Sequence, residues 1–157
     1  MPGVDGSLEF RPVRIAILTV SDTRTIETDT SGAALVERLS NAGHKLADRN
    51  LHRDEIPKIR GQVQAWIASD QVDAVITTGG TGLTGRDVTY EAVTPLFEKT
   101  IEGFSVVFHM VSHQSVGLST LQSRATAGVA NGTVIFCLPG STGAVGGGSA
   151  VKDGWAK

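Results

Sequence analysis

A short segment at residues 77–92, TTGGTGLTGRDVTYEA, places four glycines within seven positions and follows them with an arginine and an aspartate. Glycine ordering costs conformational entropy, so a loop this rich in glycine indicates a need for exposed backbone. Loop N–H groups and the hydroxyls of Thr81 and Thr84 can surround phosphate oxygens, and the carboxylate of Asp87 could hold magnesium beside a polyphosphate. The ordinary alternative for Asp87 is a helix N-cap, and the residue could serve both roles.

Two familiar glycine motifs do not fit this segment. Gly80, Gly82 and Gly85 satisfy the spacing of a dinucleotide fingerprint, but that motif belongs after the first strand, and here it follows the third predicted strand. The phosphate loop of nucleotide hydrolases requires Lys-Ser or Lys-Thr where this chain has Arg86 and Asp87. A dinucleotide-dependent oxidoreductase is therefore a weak alternative.

Alternating strand and helix patterns place this loop in the chain. Apolar runs predict strands over 14–20, 74–78 and 133–138, with a weaker strand over 44–51. Helical periodicity predicts one helix from Asp29, with its apolar face at Ala33, Val36, Leu39 and Ala42, and others after Glu55, over 91–97 with a break at Pro95, and over 104–116.

This alternation predicts a doubly wound α/β domain with a mainly parallel sheet between two helical layers. Ligands of such domains bind beyond the carboxyl ends of the strands. Three predicted strand ends here carry small or polar residues, namely Ser21-Asp22, Gly79-Gly80 and Pro139-Gly140-Ser141. We therefore expect the functional site at this edge of the sheet.

Composition limits the classes of partner. The 157 residues are 40% hydrophobic and suit one domain with a core, while 14 basic against 16 acidic residues give no basic excess for binding nucleic acid. No apolar run approaches a membrane span, and residues 1–6 do not resemble a signal peptide, so we expect a cytoplasmic protein that binds no membrane. Cys137, the single cysteine, lies in an apolar run and is expected to be a buried structural thiol.

A set of segments in a fixed order resembles the MoaB/MogA family of molybdenum cofactor biosynthesis proteins, and the MoaB branch above all. The segments cover nearly the whole chain from about residue 14 to residue 142. They are ILTVSD (17–22), DTSG (29–32), TTGGTGLTGRDVTYEA (77–92), EGF (102–104), STLQSRATAGVANGT (119–133) and FCLPGST (136–142).

The resemblance implies a three-layer α/β/α fold and binding of molybdopterin. For active members it implies adenylylation, in which the terminal phosphate of molybdopterin attacks the α-phosphate of Mg-ATP and pyrophosphate leaves. The two family acids associated with this activity fall on Asp87 and Asp54, which would also hold the magnesium ion. The alternative is a non-catalytic oligomer that binds molybdopterin or another protein of the pathway. Asp54 also has an ordinary alternative as the N-cap of the helix that follows it.

The resemblance also implies which residues contact the substrates. Ser21, Asp22, Ser31 and Gly32 would line the crevice after the first strand. The pterin or its phosphate would be faced by Ser123, Arg124 and the segment Pro139-Gly140-Ser141. The remaining candidates are Thr78, Gly79, Gly80, Thr81 and Gly82. For Arg124 an ordinary surface or interface ion pair is the alternative.

The domain organisation follows from the same features. Residues 1–13 are expected to be a flexible segment, and residues 14–157 one molybdopterin-binding domain that contains a glycine- and serine-rich stretch at 146–150. The family resemblance implies trimers that can pair into hexamers. The interface is predicted on an apolar stripe formed by Phe104, Val107, Phe108 and Val111, extended by Val116 and Leu118.

Overall fold

A six-stranded sheet organises the part of the chain, residues 5–140, that our computed structural model describes. Four helices alternate with the strands in sequence. In chain order the elements are β1 Arg14–Val20, α1 Thr30–Asn41, β2 Lys45–His52, α2 Ile56–Ala68, β3 Ala74–Thr78, α3 Thr89–Val93, β4 Lys99–Thr100, α4 Glu102–Val116, β5 Thr126–Ala130 and β6 Thr133–Leu138, with 3₁₀ turns at Thr94–Leu96 and Gly117–Gln122.

The strand order is β2-β1-β3-β6-β5-β4, and the first four of these strands are parallel to one another. Strand β5 runs antiparallel to both of its neighbours, β6 and β4. The predicted doubly wound, mainly parallel α/β fold is confirmed. Neither β4 nor β5 was predicted. Strand β4 has only two residues, and the TAGVA sequence of β5 is too short and too rich in small residues to form an apolar run.

Two apolar clusters cover the two faces of the sheet and make the three layers. On one face, Ile59 and Val63 of α2 and Val93 of α3 are fully buried against β1, β3 and β6. On the other face, α1 and α4 pack through Leu35 and Phe108 among other residues. Full burial of one such side chain stabilises a fold by about 1.5–3 kcal/mol.

The buried face of α1 matches the predicted one in part. Of the predicted residues, Leu39 is buried and Val36 packs against the core, whereas Ala33 and Ala42 are exposed. Ser31 and Leu35 are buried instead. The apolar positions of this helix fit two overlapping periodic patterns, and the sheet selects the one that begins with Ser31. Its small side chain allows the helix N-terminus to lie close to the end of β6, where Ser31 Oγ donates to the carbonyl of Gly140 at 2.7 Å.

The helix caps considered as alternative roles for Asp54 and Asp87 are not present. Helix α2 begins at Ile56, after Glu55 as expected, but Glu55 and not Asp54 is its N-cap residue, and no side chain caps it. Helix α3 has Val88 as its N-cap residue, which leaves Asp87 in the loop before the helix. Both aspartates are thereby free of the ordinary structural role that competed with a functional one.

The apolar stripe predicted as an interface is mostly core. Phe104 and Phe108 are each 1% exposed because α4 turns them toward the sheet, where Phe104 contacts Phe136, and Val111 packs against the same cluster. The remaining members of the stripe, Val107, Val116 and Leu118, are exposed, and for these the interface stays a prediction. Exposed apolar side chains follow the opposite face of α4 and the 3₁₀ turn after it, namely Val106, Val107, Met110, Val116, Leu118 and Leu121.

The structure describes part of the segment 1–13, which was predicted to be flexible, and ends before the glycine-rich stretch. In the N-terminal segment, the Phe10 ring packs against His44 in a tilted arrangement with 5.3 Å between the ring centroids, and the N–H of Val13 donates to Nδ1 of that histidine at 3.2 Å. Ser141 and the glycine-rich stretch at 146–150 lie outside the described residues. Within residues 5–140, no helix combines the length and the apolar character that crossing a bilayer requires.

Candidate functional site

A cavity of about 540 Å³ opens where the parallel strands β1, β3 and β6 end. Its position agrees with the rule that ligands of such sheets bind beyond the carboxyl ends of the strands. Most of the predicted site residues line it, although they come from six separate parts of the chain. These are Ser21, Asp22, Ser31, Asp54, Thr78, Gly79, Gly80, Thr81, Gly82, Asp87, Ser123, Pro139 and Gly140.

Close backbone contacts require glycine at the start of the loop. Gly79 has φ 100° and Gly80 has φ 69°, a region that side chains strongly disfavour. A Cβ atom on Gly79 would lie 2.2 Å from the carbonyl oxygen of Val20. A Cβ atom on Gly80 would lie 2.3 Å from Thr89 Oγ1 and 3.0 Å from Asp54 Oδ1. The loop can therefore pass between β1 and α3 only as bare backbone.

Hydrogen bonds hold the ends of β3 and β6 together beneath this loop. The N–H of Gly79 donates to the carbonyl of Leu138 at 2.9 Å, and Thr78 Oγ1 donates to the carbonyl of Pro139 at 3.1 Å. On the other side of the loop, Thr89 Oγ1 donates to the carbonyl of Gly79 at 2.8 Å. Each of these threonine hydroxyls thus donates to a backbone carbonyl where the hydrogen bonding of the sheet ends. These bonds hold the loop in place as one wall of the cavity.

Asp87 is fixed by its own loop. Its Oδ2 accepts hydrogen bonds from the N–H of Thr84 at 3.0 Å and from Thr84 Oγ1 at 2.7 Å. Burial raises the pKa of the Asp87 carboxyl, but the hydrogen bonds from Thr84 and Gly82 outweigh it and bring the pKa below the usual value. Asp87 is therefore a charged carboxylate at neutral pH, with a defined orientation.

Asp54 lies across the cavity, two residues after β2, in a different electrostatic setting. Burial raises its pKa, and the negative charges of Asp22 and Asp87 raise it further. Its backbone N–H donates to Asp22 Oδ1 at 3.2 Å. Among the described residues, no side chain donates a hydrogen bond to the Asp54 carboxylate, so its oxygens are open to a ligand.

The donor atoms of this pair fit magnesium, which prefers carboxylate and phosphate oxygens and keeps several waters. Asp54 and Asp87 line one cavity, and the pKa of Asp54 is raised by burial and, in addition, by the negative charges of Asp22 and Asp87, which a cation would offset. Within residues 5–140, no group of three His, Cys, Asp or Glu side chains is placed to hold a metal on its own. A magnesium ion here would therefore complete its coordination with phosphate oxygens and water.

Arg86 is a cavity residue that the sequence did not identify. Its guanidinium crosses from the glycine loop to the end of β1, where Nε donates to Asp22 Oδ2 at 2.9 Å and Nη2 contacts the same oxygen. These hydrogen bonds hold the pKa of the Asp22 carboxyl below its usual range. Asp22 and Arg86 are 64 residues apart in sequence, so no local pattern could reveal the pair.

Arg124 does not line the cavity but supports the loop from behind. Its Nε donates to the carbonyl of Gly82 at 2.9 Å and its Nη2 to the carbonyl of Asp87 at 3.0 Å. The guanidinium also pairs with the Glu91 carboxylate and lies 5.1 Å from the centre of the Tyr90 ring. The ion pair with Glu91 is the alternative that was considered for Arg124. In addition, the hydrogen bonds of the guanidinium to the carbonyls of Gly82 and Asp87 hold the loop backbone in place.

Gly32 is likewise a packing residue beneath the cavity. Its N–H donates to Asp29 Oδ1 at 2.9 Å, and a Cβ atom on Gly32 would lie 2.1 Å from Asp29 Oδ2. Asp29 is 2% exposed and also accepts from Thr19 Oγ1 and Arg49 Nη2. Cavity residues missing from the sequence-based set are Thr19, Val20, Thr23, Arg24, Asp29, Arg86, Ser119 and Gln122. Thr19, Val20, Asp29, Arg86, Ser119 and Gln122 lie within the segments that carry the family resemblance, which was the available signal for them.

Taken together, the fold and the cavity define a doubly wound α/β binding domain whose glycine loop and paired carboxylates suit a phosphorylated ligand. Residues 16–149 match the family model described as "Probable molybdopterin binding domain", and the chain belongs to that family.

Named relatives and solved structures agree with this membership. Molybdenum cofactor biosynthesis protein B of Escherichia coli K12 is 55% identical over 136 residues, which span 87% of this chain and 80% of that protein. A crystal structure of a molybdenum cofactor biosynthesis protein B has a TM-score of 0.86 at 44% identity, and the match covers 90% of this chain and 88% of that one. The tungsten cofactor synthesizing protein MoaB from Pyrococcus furiosus has a TM-score of 0.80 at 33% identity, with 92% of each chain covered.

Proposed function

We propose that this protein acts in molybdenum cofactor biosynthesis in the cytoplasm, where it binds molybdopterin and adenylylates it with Mg-ATP. The names of its relatives support the pathway, and the description of the family model supports molybdopterin as the ligand. The observation that carries the reaction is the pair Asp54 and Asp87, which line one cavity beside a glycine loop. Once loaded with magnesium, this pair would offset the charge of the triphosphate.

In the proposed reaction, an oxygen of the terminal phosphate of molybdopterin forms a bond to the α-phosphorus of ATP. The bond from that phosphorus to the bridging oxygen of the β-phosphate breaks, and pyrophosphate leaves with the bond's electron pair. Such transfers ask the protein mainly to position the reactants and to stabilise developing charge.

The residues of the chain fit those two tasks. The loop lines the cavity at Gly80 and Thr81, where a phosphate would meet backbone, and Ser31 and Ser123 line the same cavity. The hydroxyl oxygen of Ser123 is buried and has no hydrogen-bond partner among the described residues, which leaves it available to a ligand oxygen. The Thr84 contacts hold Asp87 in its orientation before any ligand arrives.

The test is a pyrophosphate-release assay with purified protein, molybdopterin and Mg-ATP, combined with isolation of the adenylylated pterin. We expect release only when both substrates are present. Calorimetry under the same conditions separates the two functions considered for this family. Molybdopterin binding without pyrophosphate release would replace adenylylation by a binding role, and a failure to bind molybdopterin would overturn the proposal as a whole.

A further inference from the structure

The charges around the cavity are poorly suited to a polyphosphate as they stand. Asp22, Asp54 and Asp87 all line it, whereas Asp29 is neutralised by its ion pair with Arg49. The cationic lining residues are Arg24 and Arg86. Of these, Arg24 is held within its own loop, because its Nη1 donates to the carbonyl of Thr28 at 3.1 Å and to Thr30 Oγ1 at 2.6 Å.

Arg86 differs from Arg24 in its freedom to move. Its side chain is 71% exposed, and the hydrogen bonds of its guanidinium all go to one oxygen, Asp22 Oδ2. Arginine offers five donors in a planar fork that matches phosphate well, so one carboxylate oxygen uses only part of its capacity. The Arg86 side of this ion pair is open to solvent, which weakens the pair, and a polyanion can therefore compete for the guanidinium.

Asp22 would remain satisfied if Arg86 left it. Its other oxygen, Oδ1, accepts the backbone N–H of Asp54, and Oδ2 faces a solvent-accessible cavity. The exchange therefore leaves no buried charge without a partner. The exchange also frees the positive charge of Arg86 from Asp22 and makes it available at the glycine loop, where phosphate is expected.

We infer that Arg86 is the phosphate-recognition residue of this cavity and that Asp22 is its resting partner, which the phosphate chain of the nucleotide displaces. This inference rests on the proposed function, since it specifies how that site takes the triphosphate. It makes Asp22 a competitor of the ligand: removing Arg86 weakens phosphate binding, while removing the charge of Asp22 strengthens it.

The experiment uses inorganic tripolyphosphate as the probe, in the presence of EDTA so that bound metal does not contribute, with Kd measured by calorimetry. We expect Arg86→Gln to raise Kd at least ~10-fold, the loss of about one charge-assisted pair. Asp22→Asn is expected to lower Kd about 3-fold or more. Arg38→Gln, which removes an exposed arginine two turns along α1 from the cavity, is the matched control and should leave Kd unchanged.

The double variant separates exchange from simple charge repulsion. If Asp22 acts by holding Arg86, the gain from Asp22→Asn disappears in the Arg86→Gln background. An equal gain in both backgrounds, or an unchanged Kd in Arg86→Gln, would overturn the inference. A separate titration with Mg-ATP tests the proposed function independently. If the parent protein binds Mg-ATP and Arg86→Gln binds both tripolyphosphate and Mg-ATP as tightly as the parent, the role of Arg86 is refuted and the proposed function is not. Thermal melting of each variant identifies any loss of fold.

Discussion

At the scale of single residues, Asp87 is held by the loop that carries it and not by a helix. Thr84 supplies both a backbone and a side-chain donor to the same oxygen, Oδ2. An asparagine at this position keeps one acceptor oxygen and the same shape but loses the negative charge. Asp87→Asn therefore separates the electrostatic role of the carboxylate from its structural one.

We expect Asp87→Asn to keep the melting temperature within a few degrees and to lower adenylylation at least ~100-fold, since charge placed for the transition state supplies much of the rate in phosphoryl transfer. Pyrophosphate release under saturating substrates is the measurement. Asp70→Asn, an exposed carboxylate after α2, is the control and should retain full activity. Parental activity in Asp87→Asn would remove this residue from the catalytic machinery.

Gly82 is confined by the carboxylate of Asp87. A Cβ atom on Gly82 would lie 2.6 Å from Asp87 Oδ2, and the backbone of Gly82 does not have positive φ, unlike that of Gly79 and Gly80. Gly82→Val should thus displace Asp87 and raise the Kd for Mg-ATP at least ~30-fold. This factor corresponds to about 2 kcal/mol, the usual cost of losing a hydrogen-bonded interaction with a charged group.

The same loop provides the comparison for that variant. A Cβ atom on Gly85 would meet no atom within 4 Å, so Gly85→Val should bind Mg-ATP as the parent does. Cys137→Ala, in the core of β6, is expected to cost stability without changing the Kd. Equal Kd values for the Gly82 and Gly85 variants would place the nucleotide elsewhere.

The sequence could identify the glycine loop because its composition and its acid are local features. It could not reveal that Arg86 crosses to Asp22, or that Arg124 points away from the cavity toward Glu91 and two loop carbonyls. Those contacts depend on how β1, β3 and the turn before β5 are brought together. Only the tertiary fold determines them.

At the scale of elements, the start of α1 depends on one buried charge. Asp29 is the N-cap residue, accepts from the N–H of Gly32, and pairs with Arg49 of β2 at 3.0 Å. Burial raises the pKa of Asp29, but hydrogen bonds from Thr19 and Gly32 and the pairing with Arg49 outweigh it, so the pKa in the folded state is lowered. The carboxylate therefore stabilises the fold above its unfolded-state pKa, and this contribution is lost as pH falls through the folded-state value.

Asp29→Asn should lower the free energy of unfolding at pH 7 by about 1.5–3 kcal/mol, the usual value of hydrogen bonds to a charged group. The difference between parent and variant should shrink as the pH falls below 4, because the parent then loses the same charge. Urea unfolding at several pH values measures it. Glu37→Gln, an exposed carboxylate on α1, should show a much smaller difference, and a constant difference for Asp29→Asn across the pH range would contradict the assignment.

The elements predicted correctly are those with their own strong pattern. Strands β1, β3 and β6 are continuous apolar runs and helix α4 has a clear period, so the sheet core followed from the sequence. Strand β5 was missed because Gly128 lies within it, where a Cβ atom would come 2.2 Å from the Phe97 ring. Glycine in a strand weakens the pattern that identifies it, although the packing here requires it.

At the scale of the whole molecule, the exposed apolar side chains of α4 and the following turn remain to be covered. Val106, Met110, Leu118 and Leu121 are each at least 60% exposed. Isolated exposed apolar residues are common, but side chains grouped along one helix and its continuation are typical of a protein contact. Together with the family resemblance, this face supports a homotrimer that closes on itself and can pair into a hexamer.

Light scattering at micromolar concentration should therefore give about 49 kDa, three times the 16.4 kDa of one chain, or twice that value for a hexamer. Met110→Glu should shift the protein toward monomer, because a buried unpaired charge at a contact costs several kcal/mol. Leu8→Glu changes an exposed apolar residue far along the chain from this face and should leave the mass unchanged. A monodisperse monomer for the parent would overturn the trimer.

The buried thiol of Cys137 has a practical consequence for kinetics. It lies in a central strand of the sheet with 0% exposure, and burial raises its pKa to about 12. Since thiolates and not thiols react with alkylating reagents, we expect the folded protein not to react with them. Because the sequence holds one cysteine, the rate of alkylation measures how often that strand opens. A ligand that stabilises the folded sheet around the cavity would lower this rate, so binding can be followed without any added label.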